Sequence, residues 1–133
     1  GPGVLEAITT AEAVVVAPSN PLVSIAPILA VPGVRDAVAA RRESAVAVSP
    51  IVGGSALKGP ADRMLAEMGH ESSVVGVARL YRDLVATLVI DRVDTDLAAE
   101  VEAEGVRCVV TDTVMRTTEV AAALAETTLG AVA

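Results

Sequence analysis

Four short apolar runs, residues 13–17, 45–48, 84–90 and 106–110, alternate with segments of helical character, and this alternation constrains the fold more than any other feature of the chain. Runs of small and β-branched residues this short suit strands buried on both faces; the first, from Ala13 to Ala17, is ended by Pro18. Strands separated by helices imply a parallel sheet with right-handed crossovers. The class expected is α/β: a Rossmann-like parallel sheet with helices on both faces, partial, of about four βα units, in a single domain over residues 1–133. Hydrophobic residues make up 53% of the chain, but Tyr81 is the only aromatic. The core must therefore pack from Val, Ala, Leu and Ile.

The connecting segments carry their own punctuation. Residues 4–12 read as a helix. Residues 24–42 read as helical but divided by Pro27 and by Pro32-Gly33 into two pieces, with Pro27 tolerable in a first turn. Residues 49–59 form a Gly-rich loop closed by Pro60, which opens a helix running to Met68 and capped by Gly69. Further helices are expected over 73–82, over 95–104 with a stop at Gly105, and over 118–129.

Charge and cysteine content exclude several function classes. Ten Lys and Arg against 17 Asp and Glu leave a net charge of −7, so no general attraction to nucleic acid or to an anionic membrane surface is expected. The longest apolar runs, 13–17 and 25–31, fall far short of the ~20 residues of a membrane helix. Cys108 stands alone, which removes an intrachain disulfide and a Cys-based zinc site. Its apolar setting predicts a buried, inert thiol and a reducing, cytoplasmic location. The chain opens on Gly1 without a basic and apolar leader, read as a truncated or processed start.

In parallel sheets, ligands bind outside the carboxyl ends of the strands, where loops and helix N-termini converge. Four loops qualify. In the first, Pro18 and Pro21 bracket Ser19 and Asn20, whose hydroxyl and carboxamide suit a base or a phosphate; the alternative is a plain turn, with Ser24 capping the next helix. The second runs from Ser49 to Lys58 and holds Gly53, Gly54 and the only lysine. It resembles an anion cradle without being a P-loop or GxGxxG, and an ordinary loop is the alternative. Asp91 ends the third strand and Asp112 follows the fourth; either is placed to bind a metal, a ribose or a base edge, the alternative being a turn cap or, for Asp91, a pair with Arg92. His70, the single histidine, reads as an exposed loop residue, so no Ser-His-Asp or Cys-His arrangement is supported. Glu100, Glu102 and Glu104 read as a solvated helix face.

The string from Ala17 to Ala37, APSNPLVSIAPILAVPGVRDA, with Ser49-Pro50-Ile51-Val52-Gly53-Gly54 and Lys58-Gly59-Pro60-Ala61, closely resembles the 2-phospho-L-lactate transferase family of coenzyme F420 biosynthesis. In looser form the likeness extends through Gly76-Val77-Ala78 with Tyr81, the strand end at Leu88 to Asp91, and Thr111-Asp112-Thr113-Val114-Met115. The Ala, Val and Arg bias is similar to the actinobacterial branch, whose members use phosphoenolpyruvate in place of phospholactate.

The resemblance implies a transferase that moves a phosphoenolpyruvyl or 2-phospholactyl group from a GDP-activated donor to the deazaflavin Fo, releasing GMP with help from Mg²⁺. By matched position it implies that Ser19, Asn20, Pro21, Ser24 and Ile25 face the guanine nucleotide, and that Ser49, Gly53, Gly54 and Lys58 lie near donor or Fo. It assigns no catalytic residue and no metal ligand. Family members are more than twice this length, so the chain is expected to be the carboxyl-terminal portion of such an enzyme, inactive alone, with homodimers expected by analogy. The runner-up is the gluconeogenesis-factor branch of the same superfamily, a UDP-sugar-binding regulator; a non-catalytic interaction module is a third reading.

Overall fold

The computed structural model describes residues 2–56 and 60–132. The chain runs through α1 (Val4–Thr10), β1 (Val14–Val16), a π-helical turn (Pro21–Ile25), α2 (Ala26–Leu29), α3 (Val34–Ala39), a 3-10 turn (Arg42–Ser44) and β2 (Ala45–Val48). A small hairpin follows, β3 (Ile51–Val52) and β4 (Ser55–Ala56), then α4 (Ala61–Glu67), α5 (Val74–Tyr81) and β5 (Thr87–Asp91). A 3-10 segment (Arg92–Leu97), α6 (Ala98–Ala103), β6 (Arg107–Thr111) and α7 (Thr118–Gly130) complete it. Strands β1, β2, β5 and β6 pair in parallel in that order, so the class is α/β, a Rossmann-like parallel sheet with helices on both faces.

Strand order along the sheet equals order along the chain. Crossovers of one hand that always step in the same direction leave their helices on one face, and the side chains bear this out. Alternate strand residues Ala45, Ala47, Leu88 and Ile90 pack with Val34 and Val38 of α3, Leu65 of α4, Val74 and Val77 of α5 and Val101 of α6. The intervening residues Val46, Val48 and Val89 point the other way, against Leu124 of α7 with Val109, Ala131 and Val132. One face is thus covered by several helices and the other by α7. No helix among the described residues is long and apolar enough to cross a membrane.

Helix ends follow local chemistry. Gly69, at φ 81°, closes α4: its N–H donates to Ala66 O, and the His70 N–H donates to Leu65 O. Gly105 (φ 101°) ends α6 as expected, and the Ser73 hydroxyl accepts from the Val75 and Gly76 N–H groups at the start of α5. Arg41 reaches back to donate to the Ile8, Thr9 and Ala11 carbonyls, fastening the end of α1.

Three expectations need correction. The Gly-rich loop is not all loop: Val52 and Ser55 pair across Gly53 and Gly54, whose φ values of 60° and 86° are those of the two-residue hairpin turn that needs left-handed backbone at both positions. The helical stretch 24–42 is cut into more than two pieces, because the Asn20 carbonyl accepts from both Ser24 and Ile25 N–H groups and opens a π turn ahead of α2. His70 is half-buried rather than exposed, drawn in by the bond to Leu65.

Candidate functional site

At the carboxyl end of the sheet a crevice of ≈ 770 Å³ opens between the loops that follow β1, β2 and β6. The first wall is Pro18, Ser19, Asn20, Val23 and Ser24; the second is Ser49 and Pro50 with Pro60; the third is Thr113, Val114 and Met115. Loop convergence at this end of a parallel sheet makes it the expected ligand site.

Of the residues expected on the nucleotide side, Ser19, Asn20 and Ser24 line the crevice, while Pro21 and Ile25 do not. Pro21 is buried behind the wall, where its fixed φ suits the first helical position. Asn20 is committed to shape: its Oδ1 accepts from Leu22 N–H at 2.9 Å and Val23 N–H at 3.2 Å, and its Nδ2 lies 3.6 Å from the Met64 sulfur. The hydroxyls of Ser19 and Ser24 have no partner among the described residues and remain the groups on this wall for a ligand to engage.

Ser49 lines the second wall, but its hydroxyl accepts from Ile51 N–H at 3.1 Å and donates to Ile51 O at 3.2 Å, which turns the chain into the hairpin. Gly53 and Gly54 do not line the crevice. The Gly53 N–H donates to Asp94 Oδ2 at 3.0 Å, and the Gly54 carbonyl accepts from the Ser72 hydroxyl at 3.0 Å. Lys58 lies outside the described residues.

The third wall is the loop after β6, part of the Thr111 to Met115 string. Thr113 is buried; its N–H donates to Asp91 Oδ1 at 2.8 Å and its hydroxyl to the same oxygen at 3.1 Å. Asp91 Oδ2 also accepts from Val93 N–H at 3.1 Å. Burial alone would raise the Asp91 carboxyl; the hydrogen bonds from Thr113, Val93 and Val114 outweigh it and hold the group below its ordinary value. Asp91 is thus a cap and tie, one of the two roles the sequence left open. Asp112 is exposed and accepts from Arg92 at 3.0 Å. A polar residue just past the apolar run of β6 is the signal that points to Thr113; nothing local in the sequence singles out Val23, Pro50 or Met115.

The walls are hydroxyl, amide and apolar groups, with no carboxylate among the lining residues. Among the described residues no three His, Cys, Asp or Glu side chains converge, so they do not by themselves fit a Mg²⁺ site. Cys108 is half-buried away from the crevice, and burial followed by the nearby Glu102 pushes its thiol up to about 11, in keeping with an inert thiol.

Comparison with known proteins covers nearly the whole chain. The family model for "2-phospho-L-lactate transferase CofD" matches residues 1–129. A phosphoenolpyruvate transferase of Streptomyces griseus is 46% identical over 129 residues, 96% of this chain and 41% of that protein. A 2-phospho-L-lactate transferase of Methanocaldococcus jannaschii is 41% identical over 113 residues, 85% of this chain and 35% of that protein. The chain thus spans about two-fifths of the length of these relatives. A family model matched along nearly every residue, over a parallel sheet with a crevice at its carboxyl end, leaves one assignment: the chain belongs to the 2-phospho-L-lactate transferase CofD family.

Proposed function

We propose that this chain is the carboxyl-terminal part of a transferase of coenzyme F420 biosynthesis, one that moves a phosphoenolpyruvyl or 2-phospholactyl group from a GDP-activated donor to Fo and releases GMP. The observation that supports the reading most is the crevice itself, lined by the Ser19-Asn20 and Ser49-Pro50 strings on which the family likeness rests. Its ≈ 770 Å³ is a size suited to a small-molecule ligand.

In-line displacement at phosphorus needs positioning and charge neutralisation more than covalent chemistry. In this reading the Ser19 and Ser24 hydroxyls hold the nucleotide, Asn20 and Ser49 keep their walls in shape, and Lys58 supplies positive charge near the transferred group. Mg²⁺ belongs to the reading as a requirement of the complete protein; the described residues offer no cage for it.

The test is to incubate the complete protein with Fo, Mg²⁺ and each guanosine-activated three-carbon donor, and to look for the coupled deazaflavin by mass spectrometry. Product supports the transferase, and donor preference names the group transferred. No product from either donor, with UDP-N-acetylglucosamine raising Tm and GDP leaving it unchanged, would overturn it.

A further inference from the structure

Strand β5 lies between β2 and β6 in the sheet, yet none of its residues, nor any of the 3-10 segment after it, lines the crevice. What this strand end carries instead is two carboxylates, Asp91 and Asp94, exposed by only 7% and 5%. Each is spent on a neighbouring loop. Asp91 receives the N–H and hydroxyl of Thr113, which begins the third wall. Asp94 receives the Gly53 N–H at the tip of the β3–β4 hairpin, and the lining residues Pro50 and Pro60 flank that hairpin on either side. Side chains on a segment of four residues thereby grip both walls from behind.

We propose that Asp91 and Asp94 are positioning residues that form a strut across the carboxyl end of the sheet and fix the spacing of the second and third walls. Buried carboxyl acceptors cost most when a donor is left unmatched, so each loop is held in one place. Gly53 reinforces the geometry: a Cβ there would stand 3.2 Å from a Val93 methyl, so the turn packs directly on the segment that bears both acids. The two ties are independent: among the described residues Asp91 bonds toward the loop after β6 and its own segment, and Asp94 toward the hairpin.

The inference rests on the transferase reading for its kinetic consequence and not for its structural one, so two readouts separate them. In the complete protein, Asp91→Asn leaves one acceptor oxygen where Thr113 and the Val93 N–H use two, and Asp94→Ala removes the acceptor of the Gly53 N–H; Asp96→Asn, on the same segment and exposed, is the control. Amide hydrogen exchange should rise in residues 112–116 for Asp91→Asn and in residues 51–56 for Asp94→Ala, each without the other. Well below the melting temperature, each variant should raise KM for the guanosine-activated donor, and Kd for GDP by calorimetry, about tenfold, with kcat within about twofold. A merely destabilised enzyme would instead lose active protein, lowering kcat with KM unchanged. If exchange in both segments matches wild type, or if exchange rises while KM and Kd stay within about twofold of a working wild type, the strut is overturned. Wild-type protein that neither binds GDP nor turns over sinks the transferase reading alone, and the exchange pattern then decides the strut by itself.

Discussion

Tyr81 is the only aromatic residue of the chain, 3% exposed, and its hydroxyl has no hydrogen-bond partner among the described residues. Burial without a partner lifts its ionisation well above the ordinary tyrosine range. With no tryptophan present, ultraviolet absorbance reads this one group, and folded protein should show no tyrosinate through about pH 10, where an exposed phenol half-ionises. An unpaired buried hydroxyl costs about 1–3 kcal/mol, so Tyr81→Phe should leave stability unchanged or raise it by about 1 kcal/mol in urea unfolding; a loss would show that the hydroxyl does find a partner. Asp91 behaves oppositely. Its folded carboxyl titrates below its unfolded value, so its contribution is complete above the ordinary carboxylate range and fades as pH falls from about 4 toward the folded value. Asp91→Asn should therefore melt below wild type at neutral pH, with the gap closing on acidification; a gap independent of pH would rule out the carboxylate as its cause.

The elements best legible in the sequence are those whose pattern and punctuation agree. Strands β2, β5 and β6 are nearly continuous apolar runs, and α4 and α6 end at Gly69 and Gly105 where a left-handed residue is needed. Where one pattern serves two structures the reading slipped. Gly53-Gly54 suits an anion cradle and a hairpin turn equally, and it was the flanking pairs Ile51-Val52 and Ser55-Ala56 that decided for the turn. Asn20 reads in the sequence both as a crevice residue and as a turn residue, and Ser49 as part of an anion cradle or an ordinary loop; the choice between them waits on the fold, because an Asx or Ser turn differs from a ligand contact only in three dimensions. One element carries a sharp test. A Cβ on Gly76 in α5 would lie 1.9 Å from the Glu71 carbonyl oxygen, a backbone atom, so Gly76→Ala must displace the segment 71–73 that caps the helix. The expected loss is about 2–3 kcal/mol in denaturant unfolding, despite the better helix propensity of alanine. A neutral result would mean that the 71–73 turn sits farther from α5.

At the scale of the molecule, the monotone strand order explains both what is covered and what is not. Helices accumulate on one face, and among the described helices α7 alone crosses to the other, where Leu124 packs with Val46, Val48, Val89 and Val109 of the strands. Val15 is 45% exposed, and β1 pairs with β2 on one side only among the described residues. Val4 and Leu5 of α1, Ile28 of α2 and Val31 are also exposed. An apolar strand with an open edge is a template for pairing with another chain, and charge at such an edge is the usual protection. This edge has none: Val14, Val15 and Val16 carry no charge. The 133-residue chain by itself should therefore associate as its concentration rises, seen as a growing sedimentation coefficient, and Val15→Lys should suppress this while leaving the helical circular dichroism unchanged. Association that persists undiminished in Val15→Lys would move the contact to the Val4, Leu5, Ile28 and Val31 surface, whereas a monomer at all concentrations would show that the twist of this short edge is protection enough.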